Sequence, residues 1–198
     1  LGQIALARTD LLDEPMPETS YSRYYAFFEK SDRKPYQDTS SRKRHLMACA
    51  VMLAWLDDKN EKALHRACDL IWSICEETTW VVPAHSWAGF PIDLTSSSTA
   101  AELALAAHLL RGRLPQPVVF RIHREVSRRI FEPYLEWAGT TKFEAVIDNW
   151  TGVCGGSIGE AAFLLEIDHE TRLHLITHMT HLMRRYFDEG FEPDGGCL

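Results

Sequence analysis

The run Asp148-Asn149-Trp150-Thr151-Gly152-Val153-Cys154-Gly155-Gly156-Ser157 sets a carboxylate, a side-chain amide and an indole side by side at the head of a glycine-rich segment. An aromatic platform flanked by amide and carboxylate groups is the chemistry of a carbohydrate site, because the ring covers an apolar sugar face while the polar groups take its hydroxyls. Gly152, Gly155, Gly156 and Gly159 follow at i, i+3, i+4 and i+7. On a helix they share one face, and that face has no side chains. Each such glycine costs a helix about 1 kcal/mol relative to alanine. Two readings account for that cost: a ligand that comes close to the backbone, or a neighbouring helix packed tightly against it.

Other side chains invite the same question. His174, His178 and His181 stand at i, i+4 and i+7, a spacing that can bring imidazoles to one metal, but no H-E-x-x-H motif accompanies them and no metal is assigned. Arg121, Arg124 and Arg128 line one helical face, either as a solvated stripe paired with acids or as a carboxylate-binding surface. Tyr21, Tyr24, Tyr25, Phe27 and Phe28 cluster at near-helical spacing, as a helix packed on the core or as a sugar-stacking surface. The five cysteines form no C-x-x-C pair and are odd in number, so they read as reduced, mostly small apolar residues.

The segment Asn149 to Ser157 resembles the "NW-x-x-V-C-x-G" stretch of heparinase II/III-like proteins. Two further regions carry the likeness: Trp80, Pro83, His85 and Ile92-Asp93-Leu94 are similar to their "W-x-x-P-x-H... I-D-L" region, and Phe187 to Cys197 to their turn toward an active-site tyrosine. The resemblance covers residues 40 to 198. It implies a polysaccharide lyase whose fold is an incomplete (α/α) toroid of helical hairpins, acting on a uronate-containing polysaccharide by β-elimination without a cofactor. On this reading Asn149 neutralises the uronate carboxylate and His85 is a candidate for proton transfer, with a loop histidine bonded to backbone carbonyls as the alternative. Trp150 and Trp87 are sugar platforms, with Asp148 and Asp93 as further substrate-binding groups. The chain departs from the pattern at Ser98, where the family commonly carries a glutamate. It also has no tyrosine after Tyr186, which falls in a helix as a packing residue. The expectation is therefore that these 198 residues alone are inactive. Two other functions stay open: a toroidal glycoside hydrolase using two of Asp93, Asp148 and Glu160, and a non-catalytic helical module that binds a saccharide or a protein.

The elements that must position these residues follow from periodicity. Residues 1–39 read as an irregular lead-in with short helices, broken at Arg33-Lys34-Pro35. Helices are expected from Ser40 or Ser41 to Leu56, from Asn60 as cap through Cys75, over Ala100 to Leu110 behind the caps Thr95 to Thr99, over Val118 to Trp137 with a kink or end at Pro133, and over Glu170 to Glu189. Short polar turns between them predict an all-α array of antiparallel hairpins in a single domain over 1–198, interrupted by the aromatic loop 78–93.

Composition bounds the partners. The net charge of −7 argues against nucleic acid and requires a local basic patch for any polyanionic sugar. No apolar run approaches the roughly 20 residues of a membrane span. The opening Leu-Gly-Gln shows no signal peptide, and both ends read as cuts in a longer protein. Unpaired cysteines favour the cytoplasm. An incomplete toroid is expected to leave apolar helix faces uncovered, and so to self-associate.

Overall fold

Residues 9–89, 91–192 and 194–196 are described by the computed structural model, and all their extended regular elements are helical. Eight helices succeed one another among the described residues, and none is long and apolar enough to cross a membrane. The all-α expectation holds. Packing divides the chain into two units, residues 1–87 with 106–122 and residues 88–105 with 123–198.

The first unit holds α1 (Tyr21–Lys30), α2 (Lys34–Leu56) and α3 (Glu61–Cys75). Its centre is the α2–α3 hairpin, where Leu46, Met47, Ala50 and Leu53 of α2 and Ala67, Leu70, Ile71 and Ile74 of α3 are buried. Asn60 caps α3 as expected, its side-chain oxygen accepting the Ala63 N–H at 3.0 Å. The start of α2 differs from expectation. Pro35 lies in its first turn, where an amide hydrogen has no helical acceptor to lose, so the helix begins at Lys34 and the serines lie inside it. On α1, Tyr24 and Phe27 pack against Tyr36, Val82 and Ala84, whereas Tyr21 remains 74% exposed. The aromatic cluster is thus divided between a packed side and an open one.

Helix α4 (Leu94–Leu109), whose residues 94–105 belong to the second unit, starts six residues earlier than the serine-threonine run suggests. Asp93 accounts for this. Its carboxylate accepts the Ser96 N–H at 2.7 Å while the Ser96 hydroxyl accepts the Asp93 N–H at 2.8 Å, a reciprocal cap that leaves the later hydroxyls inside the helix. There Ser97 and Thr99 donate back to the carbonyls of Asp93 and Thr95.

Helix α5 runs through Gln116–Val126, a π turn at Ser127–Phe131, and Glu132–Trp137. Pro133 does not end it. The widened turn lies just where the proline ring would meet the carbonyl four residues back, and the extra residue in that turn lets the helix pass through. Helix α6 (Lys142–Ala145) is held by a capping box between Thr141 and Glu144. Helix α7 opens on a second π turn, Thr151–Gly155, and continues over Gly156–Leu164 before α8 (His169–Glu189), which Asp168 caps.

Candidate functional site

The glycine face of α7 is resolved by its neighbour. A Cβ on Gly152 would stand 2.8 Å from the Tyr186 ring, on Gly155 3.1 Å from Leu182, and on Gly159 3.3 Å from Met179. Side chains of α8 fill the space that three of the four glycines leave, which is the helix-packing alternative. Tyr186 is accordingly a packing residue, wedged between Gly152 and Gly190 and in ring contact with Phe187 and Phe191. Gly156 is different, because a Cβ there would meet nothing within 4 Å.

The other end of the same stretch is built to hold Asn149 outward. Thr151 is buried, and its hydroxyl donates to the Phe143 carbonyl at 2.8 Å, with the Val146 carbonyl at 3.1 Å, while accepting the Asp148 N–H at 3.1 Å. Asp148 in turn accepts the Trp150 N–H at 2.8 Å. These bonds close the head of α7 on both sides of Asn149. The Asn149 side chain lies exposed, and its amide makes no hydrogen bond among the described residues. Beside it, the half-buried Trp150 ring carries the Lys142 ammonium 5.2 Å from its centroid. The exposed amide thus stands in the chain next to an indole that carries a cation.

The base of this surface is rigid. Glu144, two residues beyond Lys142, accepts the Tyr134 hydroxyl at 2.8 Å and the Gly139 N–H at 3.0 Å, as well as the Thr141 groups of its capping box. Burial, and then the adjacent Glu144 carboxylate, push the Tyr134 phenol far above its ordinary range, so it stays protonated as a structural donor. Cys154 is fully buried one turn beyond the site. Burial raises its thiol to about 12 against the opposing Ser97 hydrogen bond, with the Asp93 and Asp148 charges adding to the rise, which rules it out as a nucleophile near neutral pH.

The remaining expected residues are distributed as follows. Asp93 is 1% exposed, and its carboxylate starts α4; Asp148 is half-buried, with a carboxylate oxygen on the α7 head. His85 belongs to the first unit, half-buried in the helical turn Pro83–Ala88, with its backbone N–H on the Val82 carbonyl at 2.9 Å. The Trp87 side chain lies outside the described residues, as does Pro193. The loop that carries His85 leaves α3 at Glu77, a buried carboxylate held by Lys43 at 3.0 Å and Arg44 at 2.9 Å. Trp80 anchors it further by donating to the Ile74 carbonyl at 2.9 Å.

Of the histidine trio, His174 and His178 stack edge to face at 4.5 Å, and no group of three potential metal ligands converges among the described residues. Of the arginine stripe, Arg121 lies over the Trp72 ring at 4.2 Å, and Arg124 and Arg128 pair with Glu125 while each stays about half exposed.

Sequence reasoning missed Lys142 and α6. The signal was present as Thr141-Lys142-Phe143-Glu144, a threonine three residues before a glutamate, which is the pattern of a capping box. No family model matches the chain, and no curated protein matches it.

Proposed function

We propose that this chain carries the carboxylate-binding part of a polysaccharide lyase site, with Asn149 as the group that meets the uronate. The observation that carries the reading is the Asn149 amide itself, exposed and without a hydrogen bond among the described residues, while Thr151 and Asp148 hold the turn on either side of it. In β-elimination a base takes the proton α to the carboxylate, the electron pair forms a carbon–carbon double bond, the β carbon–oxygen bond breaks, and the leaving oxygen takes a proton. Charge builds on the carboxylate as the proton leaves. A side-chain N–H that donates to that oxygen stabilises the enolate, and one such donor is worth about 10²–10³ in rate. Lys142 adds a positive charge at the Trp150 ring, which on this reading is offered to the sugar face.

Neither phenol of this surface is assigned the proton transfer, since Tyr134 is buried and Tyr186 is packed between glycines. The hydrolase alternative needs two opposed accessible carboxylates; Asp93 is sealed as a cap, which leaves it Asp148 and Glu160. The test is to incubate the full-length protein with a panel of uronate polysaccharides and follow the ultraviolet absorbance of the unsaturated product. Product formation that Asn149→Ala suppresses supports a lyase. Reducing ends without that absorbance identify a hydrolase, and binding without turnover identifies a saccharide-binding module.

A further inference from the structure

Glu125 of α5 is 3% exposed, and three guanidinium groups converge on it. Arg124 donates to Oε1 through Nε at 3.1 Å and Nη2 at 3.0 Å; Arg128 Nη2 and Arg129 Nε donate to Oε2 at 2.7 and 2.8 Å. A carboxylate offers about four lone-pair sites, so this one is saturated. The charges do not balance, because three cations share one anion on a chain whose net charge is −7.

A structural ion pair needs only one guanidinium, and here the second and third are in excess. Arg124 and Arg128 are 50% and 56% exposed, and a guanidinium has five N–H donors, so most of theirs point away from Glu125. Glu125 acts as a buried template that fixes two outward forks. Holding them in place in advance removes much of the side-chain entropy that an arginine loses when it binds an anion. The acid within reach along the helix, Glu132 at i+4 from Arg128, is exposed and forms no ion pair with it among the described residues.

We infer that Arg124 and Arg128, templated by Glu125, form an anion subsite that receives a carboxylate or sulfate group of a linear acidic saccharide. This rests on the lyase reading for its ligand class. It gives the local basic patch that such a ligand requires on an acidic protein. The forks suit a planar carboxylate or a sulfate oxygen pair through two parallel N–H donors, and the duplicated arginines suit a ligand whose charges repeat along a chain.

The experiment is a titration of the full chain with a defined oligogalacturonate, and separately with a sulfated neutral oligosaccharide, across a salt series. Arg124→Gln with Arg128→Gln is expected to weaken binding of the charged saccharide about tenfold or more, with the logarithmic salt slope falling by about 2, as for two lost anion contacts. Glu125→Gln is expected to weaken binding too, though less than the double arginine variant, because the amide keeps one acceptor oxygen in place of two and releases part of the template while both guanidinium groups remain. Far-ultraviolet circular dichroism and the melting temperature establish that each variant is folded, and Arg128→Gln alone serves if the double variant is not.

A preference for the oligogalacturonate assigns a carboxylate subsite, and a preference for the sulfated ligand a sulfate subsite. Unchanged affinity and salt slope in the folded arginine variants would overturn the inference, as would tighter binding of a single-stranded oligonucleotide than of either saccharide at equal salt. Asn149→Ala separates the two claims. If turnover is insensitive to Asn149 but binding needs the arginines, the lyase site fails and the subsite stands; the converse result sinks the subsite alone.

Discussion

The two ends of the stretch from Asp148 to Leu165 use the same local chemistry for opposite purposes. At its head, buried hydrogen bonds from Thr151 and Asp148 hold a polar side chain out into solvent. Along its body, missing side chains let α8 approach until Tyr186, Leu182 and Met179 occupy the vacated space. The glycines therefore serve packing, and Asn149 is the side chain that the hydrogen bonds of the head leave over; on the proposed function it is the ligand-facing group.

Substitutions along the glycine face sharpen this contrast. The largest loss is expected for Gly152→Ala, whose new methyl would lie 2.8 Å from a tyrosine ring that Gly190 confines on its other side. Overpacking of this kind costs about 1–3 kcal/mol, read as a lower denaturation midpoint with unchanged m-value. A comparable loss of about 1–3 kcal/mol is expected for Thr151→Val, which leaves the buried Phe143 carbonyl without its donor. Because Thr151 also holds the turn around Asn149, this variant should weaken saccharide binding as well, whereas Gly152→Ala should not. Equal effects of the two on binding would erase the distinction between head and body.

A smaller and pH-dependent effect belongs to Glu125. Burial alone would raise its pKa, but hydrogen bonds from Arg128, Arg129 and Arg124 outweigh it and hold the carboxyl at about 2. The folded pKa lies below the unfolded one, so the unfolded chain binds more protons between the two, and stability rises with pH there. The contribution is complete above about pH 4.5 and is lost as pH falls toward 2. Melting curves across that window should show a steeper acid dependence for the native chain than for Glu125→Gln. The smallest effect has the opposite sign: Gly156→Ala gains about 0.5–1 kcal/mol, since the added methyl meets nothing and the unfolded chain loses freedom.

How far the sequence reveals this molecule depends on where the deciding interaction lies. The helices α3 and α8 are legible, because Asn60 and Asp168 cap them locally and their apolar period is regular. The starts of α2 and α4 are less so: Pro35 is compatible with a break or a first turn, and any of six hydroxyl or carboxylate residues from Asp93 to Thr99 can cap until Asp93 and Ser96 pair. The passage of α5 through Pro133 depends on a π turn that residue types do not announce. For the site, Asn149 and Trp150 are legible as a chemical combination. The meaning of the glycines is not, since it is decided by Met179, Leu182 and Tyr186 of α8, beyond the reach of any local pattern. Lys142 lies in a four-residue helix too short for any periodicity to reveal.

The central claim is that Asn149 is the ligand-facing group and the glycine body its scaffold. The most direct measurement compares the initial rate of unsaturated uronate formation by the full-length protein with that of Asn149→Ala, alongside their melting temperatures. An exposed amide with no hydrogen bond among the described residues carries little folding energy, so stability should stay within about 0.5 kcal/mol. The rate should fall about 10²–10³-fold, as for the loss of one preorganised donor to a developing oxyanion. An Asn149→Ala protein that forms the unsaturated product at the native rate, or that loses its rate only because it no longer folds, would contradict the account.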